Sequence, residues 1–391
     1  MRLDVRLVLL AALLAAASLV AATTSGSPHA AGSACSPTAT ILESPRPRTQ
    51  EAQAKAINDR GDVVGFADSH GGDRFVHAIL WKNGKAADAV DLGVLPGYIA
   101  SEAYGVNNDR VVFGLLYDRK ERAVPFRWEA GRMTVLKGPN GRLLFTENPG
   151  AGGRNAINAR GETTWTMIVG GDRRAVRWAP DGKASFLPAL PGHAWTDSFG
   201  INDDGIVSGW SRRLPNGDGA ENPVLWTRSG GIVPLRTAPG RADGIAEATN
   251  HAGLTVGYLG NQTDKAAESD QFAVWRTRSA EPLLLGPVRP NLIAELVDVN
   301  DRGQAAGMTG TMNPKTGFIL AKPVIWQAGW ARPRRLAVPA ASRRANPFIV
   351  TALNDVNGGG AIVGTVYGLA SKDYASLRRI DPVLWTCVFP S

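Results

Sequence analysis

The sequence predicts an all-β fold, a seven-bladed β-propeller built from four-stranded antiparallel blades. Three observations lead to this fold class: seven tryptophans recur at intervals of about fifty residues, seven asparagines run in phase with them, and short strand-like runs separated by turn residues fill each interval. The tryptophans are Trp81, Trp128, Trp178, Trp226, Trp275, Trp326 and Trp385. The asparagines are Asn58, Asn107, Asn158, Asn202, Asn250, Asn300 and Asn354.

The N-terminal segment of the 391-residue chain stands apart from these repeats. Arg2 and Arg6 precede an apolar run over residues 7–22 that ends in small residues, which is typical of a secretory signal peptide. The run is shorter than the roughly 20 residues that a membrane span needs. We therefore expect a signal peptide over residues 1–22, a polar disordered linker over 23–34 and a propeller over 35–391. The mature chain is then extracellular and has no transmembrane segment.

Composition agrees with many short strands joined by turns. Apolar residues make up 44% of the sequence, charged residues only 20%, and glycine and proline number 45 and 25. The formal net charge is +8, and the charges look interspersed, with no block of lysine or arginine. Such a charge favours contact with anionic cell surfaces or polysaccharides, although solubility is the simpler explanation. No basic helix or aromatic groove suggests nucleic acid as a partner.

The repeat unit consists of four predicted strands, A to D, which in the second unit cover residues 103–107, 111–117, 124–128 and 132–136. The A–B break carries Asn-Asp turn residues followed by glycine, because these side chains bond nearby backbone amides and glycine accepts a positive φ. A further glycine recurs seven residues after the asparagine, and we expect it to let neighbouring sheets pack tightly. The third unit has Trp165 in that place, and the distance from Asn354 to Gly364 suggests an insertion in the seventh unit.

The two ends of the repeat region predict how the ring closes. The seventh unit contains strands A to C but no strand D before Ser391, whereas a D-like segment at residues 38–42 precedes the first unit. We expect this N-terminal strand to complete the last blade. Cys35 and Cys387, the two cysteines of the chain, flank the two segments. In an exported protein such a pair predicts a disulfide that holds the ring shut.

Two motifs recur in the units. The first unit has both, with Ala-Ile-Asn-Asp-Arg-Gly-Asp-Val-Val-Gly at residues 56–65 and His-Ala-Ile-Leu-Trp at 77–81, and Gly-Ile-Asn at residues 200–202 begins a second match to the first motif. In these motifs the units resemble the HAF-repeat family of extracellular bacterial proteins. The resemblance covers residues 38–386 and implies an exported bacterial repeat domain. It implies no catalytic residues.

Motifs for chemistry are sparse. The five histidines show no metal-ligand spacing, no nucleophile elbow is present, and the segment 216–221 lacks the spacing of a calcium loop. The Arg-Gly-Asp at residues 60–62 is explained by the repeated turn. The predicted channel strands end in Ala-Ile-Asn, Gly-Val-Asn or similar triplets, with Asp298 as the acidic exception, which argues against a glycan-cleaving site. We therefore predict no catalytic residue, no metal and no cofactor.

Three tryptophans outside the periodic series are the candidate ligand-binding residues. Trp195 lies before unit four, whereas Trp165 and Trp210 lie on the B strands of units three and four. Flat aromatic rings suit a sugar or a peptide. The competing interpretation is that Trp165 and Trp210 only fill space between blades. The variable B–C loops, for example residues 211–222, 260–270 and 369–381, lie on the same predicted face.

The function predicted from the sequence is that of a secreted, non-enzymatic propeller, monomeric, that binds or scaffolds a cell-wall or extracellular glycan or peptide. Two alternatives stay open. One is a propeller-type polysaccharide hydrolase or lyase, and the other is a purely structural surface component.

Overall fold

The computed structural model describes residues 37–44, 51–70, 73–146, 156–213, 219–260, 270–286, 292–311, 319–345, 348–371 and 377–389. Ser36–Pro390 form one compact unit, which contains all of the described residues. The predicted signal peptide and linker, residues 1–22 and 23–34, therefore lie outside the described residues. No helix in these described ranges is long and apolar enough to cross a membrane.

The described strands form seven antiparallel sheets, the blades, arranged as a seven-bladed β-propeller. β1 (Thr38–Ile41) comes first in the chain. Blade 1 contains β2 (Ala52–Ile57), β3 (Val63–His70), β4 (Asp73–Trp81) and β5 (Ala89–Asp91). Blade 2 contains β6 (Ala100–Val106), β7 (Val112–Tyr117), β8 (Ala123–Glu129) and β9 (Arg132–Val135). Blade 3 contains β10 (Thr163–Val169), β11 (Asp172–Trp178) and β12 (Ala184–Phe186).

The remaining blades follow the same order from the innermost strand A to the outermost strand D. Blade 4 contains β13 (Trp195–Ile201), β14 (Val207–Arg212), β15 (Asn222–Trp226) and β16 (Ile232–Pro234). Blade 5 contains β17 (Asp243–Thr249), β18 (Thr255–Gly260), β19 (Gln271–Trp275) and β20 (Leu283–Leu285). Blade 6 contains β21 (Leu292–Val299), β22 (Gln304–Thr311), β23 (Lys322–Gln327) and β24 (Arg334–Arg335). Blade 7 contains β25 (Phe348–Val356), β26 (Ile362–Leu369) and β27 (Leu377–Thr386).

Helix is rare in the described ranges. The α-helix α1 (Ala340–Ala345) connects blades 6 and 7, and two 3-10 turns, Lys82–Gly84 and Ala86–Asp88, follow β4.

The N-terminal strand closes the ring, as the sequence predicts. β1 pairs antiparallel with β27, so that Thr38 lies opposite Thr386 and Ala39 opposite Trp385. The resulting sheet has the order β1, β27, β26, β25, and β1 takes the outermost position of blade 7. Cys387 directly follows this pairing, but Cys35 lies outside the described residues, so the disulfide between them stays a prediction.

Five of the seven periodic tryptophans bond their blade to the one before it. The rings of all seven are buried, except for Trp128, which is half-buried. Five indole N–H groups donate to a backbone carbonyl two residues beyond the outermost strand of the preceding blade. The pairs are Trp81 to Glu43 (2.8 Å), Trp178 to Lys137 (2.7 Å), Trp226 to Pro188 (2.7 Å), Trp275 to Arg236 (2.7 Å) and Trp385 to Ala337 (2.7 Å). The bond from Trp81 reaches the segment after β1 and therefore spans the closure.

The glycine of strand B makes room for a bulge in strand A of its own blade. This corrects the expectation that it allows neighbouring sheets to pack tightly. In six blades the register of strands A and B shifts at one step of strand A. The bulge presses a carbonyl of strand A against the glycine: a Cβ at Gly65 would lie 1.8 Å from the Gln53 oxygen, and one at Gly209 would lie 1.9 Å from the Asp197 oxygen. Only glycine leaves room for that oxygen.

Blade 3 shows what happens when that glycine is missing. Trp165 stands in its place and is buried against Tyr104 and Phe113 of blade 2. Among the described residues, the innermost position of this blade is reduced to a bridge between Ile157 and Thr163. A large side chain at Trp165 is incompatible with the bulged strand A of the other blades, because that strand brings its carbonyl to this position.

The seventh unit has a different register from the one the sequence suggested. Asn357, and not Asn354, occupies the turn position, because the Asn357 N–H donates to the Ala361 carbonyl as the Asn58 N–H does to Asp62. Gly364 then follows this asparagine by seven residues, as in the other units, and the proposed insertion does not exist. Asn354 instead donates its side-chain amide to the Ala54 carbonyl at 2.6 Å.

Candidate functional site

The three candidate tryptophans do not form one group. Trp165 is 1% exposed and belongs to the core between blades 2 and 3, which matches the packing interpretation. Trp195 and Trp210 do come together, in a cluster with Phe199, Ile245 and Tyr258 of blades 4 and 5. Trp195 is half-buried, whereas Trp210 is 4% exposed, so Trp195 offers the larger surface to a ligand.

An arginine from blade 3 completes this aromatic cluster. The Arg173 guanidinium lies 5.9 Å from the centre of the Trp210 ring and forms an ion pair with Asp197. Thr166 donates a hydrogen bond to the same carboxylate. Burial raises the pKa of Asp197, and the positive charge of Arg173 offsets part of that increase. The Trp195 indole N–H donates to Asp172 at 3.1 Å, which fixes its ring at the start of β13.

A second pair of charged groups lies at the beginning of β15. Glu221 is 21% exposed, and its carboxylate lies 3.7 Å from the Arg212 guanidinium. The Glu221 backbone N–H donates to the Asp243 carboxylate at 2.7 Å. Burial and repulsion from Asp243 raise the pKa of Glu221 to about 7. At neutral pH this carboxyl is therefore divided between its acid and its carboxylate forms.

We name Trp195, Trp210, Tyr258, Arg173 and Glu221 the aromatic site. It lies on the face of the propeller that carries the D–A and B–C connections, because Trp195 begins strand A and Glu221 precedes strand C of blade 4. Rings that provide flat apolar area next to charged hydrogen-bonding groups are suited to hold a sugar or a peptide. The predicted binding loops lie beside this face, but their central parts, 214–218, 261–269 and 372–376, are outside the described residues.

Three members of this site carry no recognisable signal in the sequence. Arg173 and Tyr258 are common residue types in ordinary strand positions. Glu221 ends the segment 216–221, whose sequence resembles only an incomplete calcium loop. Their partners come from neighbouring blades, so the site exists only once the ring is assembled. Only Trp195 and Trp210, which break the regular spacing of tryptophans, can be found from the sequence.

The central channel contains a closed cycle of hydrogen bonds between the turn asparagines. Each side-chain amide donates to the backbone carbonyl of the corresponding asparagine in the next blade. The donor–acceptor distances are 2.9 Å from Asn58 to Asn107, 3.3 Å from Asn107 to Asn158, 3.0 Å from Asn158 to Asn202, 3.1 Å from Asn202 to Asn250, 3.0 Å from Asn250 to Asn300, 2.8 Å from Asn300 to Asn357 and 2.9 Å from Asn357 to Asn58. All of these asparagines except Asn158 line a cavity of about 140 Å³, and their side-chain amides bond one blade to the next.

Two buried acids in this channel were not expected together. The corrected register of blade 7 places Asp355 at the position that Asp298 holds in blade 6. Asp298 accepts the Val356 N–H at 2.9 Å, and Asp355 accepts the Ile57 N–H at 2.8 Å, so each carboxyl bonds the following blade. Burial and the hydrogen-bonded Asp298 carboxyl raise the pKa of Asp355 well above its usual range.

Acidic residues also occur on the A strands before the last three residues, which are the only ones that the sequence argument considered. Glu102, Asp197, Glu247 and Glu295 lie on β6, β13, β17 and β21. The sequence argument that the channel strands are nearly free of acids is therefore wrong. Within the described ranges, no group of three or more histidine, cysteine, aspartate or glutamate side chains is arranged to hold a metal ion.

Comparison with known proteins supports the fold class alone. No protein-family model matches the sequence, and no curated protein does. An oligogalacturonate lyase in complex with manganese superposes with a TM-score of 0.53 at 12% identity, covering 89% of this chain and 92% of that one. The oligogalacturonate lyase of Vibrio parahaemolyticus gives 0.51 at 11% identity, covering 89% and 93%. Prolyl oligopeptidase B of Galerina marginata gives 0.50 at 10% identity, covering 85% and 51%.

Proposed function

We propose that this protein is a secreted, monomeric, non-enzymatic propeller that binds an extracellular glycan or peptide through the aromatic site. The observation that carries the proposal is the convergence of Trp195, Trp210 and Tyr258 with Arg173 and Glu221 on one face. The periodic tryptophans and the turn asparagines, by contrast, form hydrogen bonds between blades. A rigid scaffold that carries a mixed group of aromatic and charged side chains on one face is suited to binding.

Export and membership of the HAF-repeat family belong to the same proposal. They are supported by the residues of the N-terminal segment and by the turn and tryptophan pattern of the repeats. The predicted disulfide between Cys35 and Cys387 fits an exported chain, since oxidising compartments preserve such bonds. N-terminal sequencing of the protein from culture supernatant should give a start between residues 23 and 35.

The binding proposal is tested on an array of glycans and peptidoglycan fragments with the purified chain. We expect Trp195→Ala and Trp210→Ala each to weaken binding to any retained ligand by about fivefold or more, because each removes a ring worth about 1–3 kcal/mol in contact. Phe75→Ala serves as the control, since Phe75 is an exposed aromatic residue of blade 1. Unchanged affinity in both tryptophan variants, with folding intact, would assign these residues to packing.

A polysaccharide lyase or hydrolase is the second candidate, and Glu221 is the observation that favours it. A carboxyl with a pKa near 7 beside another carboxylate is suited to general acid or base catalysis. The test is to incubate the chain with polygalacturonate and neutral glycans and to measure reducing ends and unsaturated products. Activity that Glu221→Gln abolishes, with binding retained, would establish the enzyme.

A further inference from the structure

The positive charge of this protein is concentrated in one segment. No aspartate or glutamate occurs between Arg302 and Asn354, while eight lysines and arginines do: Arg302, Lys315, Lys322, Arg332, Arg334, Arg335, Arg343 and Arg344. The remaining 35 of the 43 lysines and arginines equal the 35 acidic residues of the chain. The whole formal net charge of +8 is thus carried here, which corrects the view that the charges are evenly interspersed.

The segment covers the outer part of blade 6 and the connection to blade 7. Arg334 and Arg335 form β24, the outermost strand, and both are exposed. Arg332 lies in the preceding C–D turn and is also exposed. The A–B turn that carries Arg302 packs against this C–D turn, because the Ala328 N–H donates to the Gly303 carbonyl at 2.8 Å.

The other end of the segment continues along α1. Arg343 and Arg344 are exposed on this helix, while its Ser342 is buried and bonds the Asp381 carboxylate of blade 7 at 3.0 Å. The helix is thereby held in place with its arginines outward. We name Arg302, Arg332, Arg334, Arg335, Arg343 and Arg344 the arginine strip. The strip belongs to blade 6 and its connection to blade 7, whereas the aromatic site belongs to blades 3 to 5.

The arginines at the centre of the strip are positioned but not neutralised. The Arg334 guanidinium lies 4.0 Å from the centre of the Trp330 ring, and the Trp330 carbonyl is itself fixed by the Trp326 indole N–H at 2.9 Å. In the described part of the chain, no acidic side chain pairs with Arg332, Arg334 or Arg335. Some exposed arginines of other blades do have such a partner, as in the pair of Arg236 with Glu281 at 2.6 Å.

We propose that the arginine strip binds an acidic polysaccharide, a chain of sugars that carry carboxylate or sulfate groups. Guanidinium groups bond both kinds of anion with two parallel hydrogen bonds, and a row of them matches a polymer with regularly spaced charges. Nucleic acid fits less well, since the aromatic ring of the strip is stacked by Arg334 and presents no free platform for bases. Arg332, Arg334 and Arg335 are exposed on the outermost strand of blade 6 and the turn before it, so a flexible polysaccharide chain can contact them in succession.

The experiment measures binding of the full chain to polygalacturonate and to dextran sulfate by calorimetry at low and high salt. The test variant is R332Q/R334Q/R335Q. The control is R119Q/R132Q/R142Q, which removes the same charge from three exposed arginines of blade 2, including one on its outermost strand. Unmodified dextran, duplex DNA and anionic lipid vesicles are the comparison ligands.

We expect the wild-type chain and the blade 2 variant to bind at least one acidic polysaccharide with similar affinity. The blade 6 variant should lose about tenfold, as three exposed ion pairs of modest strength imply, and the loss should shrink at high salt. Preference for polygalacturonate or for dextran sulfate identifies the anion. Equal losses in the two variants would reduce the effect to net charge and overturn the proposal. Tighter binding to DNA or to vesicles than to either polysaccharide would overturn it as well.

This result does not depend on the aromatic site. R332Q/R334Q/R335Q removes only charges of blade 6 and Trp195→Ala removes only a ring of the aromatic site, so failure of either proposal can be told from failure of the other.

Discussion

Replacing the strand B glycine of blade 1 by alanine tests the most specific structural argument. In Gly65→Ala the new Cβ would lie 1.8 Å from the Gln53 carbonyl oxygen and 2.9 Å from its carbon. An ordinary contact between such atoms is above 3 Å, so strand A must move by more than 1 Å or lose its bulge. Backbone atoms cannot rotate away as a side chain does. The bulge and at least one hydrogen bond of the sheet must therefore be disrupted.

The expected cost is about 3 kcal/mol, the upper range for forcing an extra carbon into a well-packed interior. For a chain of this size that corresponds to a melting temperature lowered by about 4 °C, because the entropy of unfolding grows with chain length. Differential scanning calorimetry of the purified chain measures it directly. Gly231→Ala is the control, since Gly231 is exposed and its nearest neighbour is the Thr227 hydroxyl at 3.2 Å.

A melting temperature of Gly65→Ala within 1 °C of wild type, with the control also unchanged, would refute the argument. The bulge would then not be the reason for the repeated glycine. Gly209→Ala and Gly257→Ala provide replicates in other blades, where the Cβ would lie 1.9 and 2.0 Å from a strand A carbonyl oxygen.

Three further predictions concern the closure and the channel. Trp385→Phe should destabilise the chain by about 1 kcal/mol, since it leaves the Ala337 carbonyl without its indole donor, and denaturant unfolding that shows no change would contradict this. Cys387→Ser should lower the melting temperature through loss of the predicted disulfide, worth up to about 4 kcal/mol; a wild-type chain whose melting is insensitive to reductant would rule that bond out. Asp355→Asn should reduce the dependence of stability on pH. The pKa of Asp355 is raised in the folded state, so its contribution is fully present below the unfolded pKa of about 4 and is lost as pH rises through the folded pKa. The stability of the variant relative to wild type should therefore increase with pH. A difference in melting temperature between the two chains that stays constant from pH 4 to 9 would contradict the assignment.

Local residue chemistry determined the architecture of this protein. The spacing of Trp and Asn predicted seven blades, and the D-like segment at residues 38–42 predicted the closure that β1 and β27 form. Such inferences succeed because each repeat meets the same requirements: a turn that an asparagine can cap and a ring that fills the space beside a neighbouring blade.

The register of the seventh unit could not be obtained in this way. Asn354 and Asn357 both follow strand-like residues, and Asn354 is followed by Asp355 in the manner of the other turns. The choice is made by the ring, because only Asn357 reaches the Asn58 carbonyl, at 2.9 Å, to complete the hydrogen-bonded cycle. The pairing of Asp298 with Asp355 follows from that register, so it could not be predicted from the sequence either.

The sequence by itself determined the number of blades and the closing strand, since these follow from the repeat pattern and from the order of its strands along the chain. Tertiary structure alone decided which residues share a site. Arg173, Trp195 and Tyr258 belong to three blades and meet only because the closed ring places those blades side by side. It also decided the role of the strand B glycines, because the atom that a Cβ on each would meet first is a carbonyl oxygen of strand A. Contacts of this kind depend on distances between elements, which a repeat pattern does not encode.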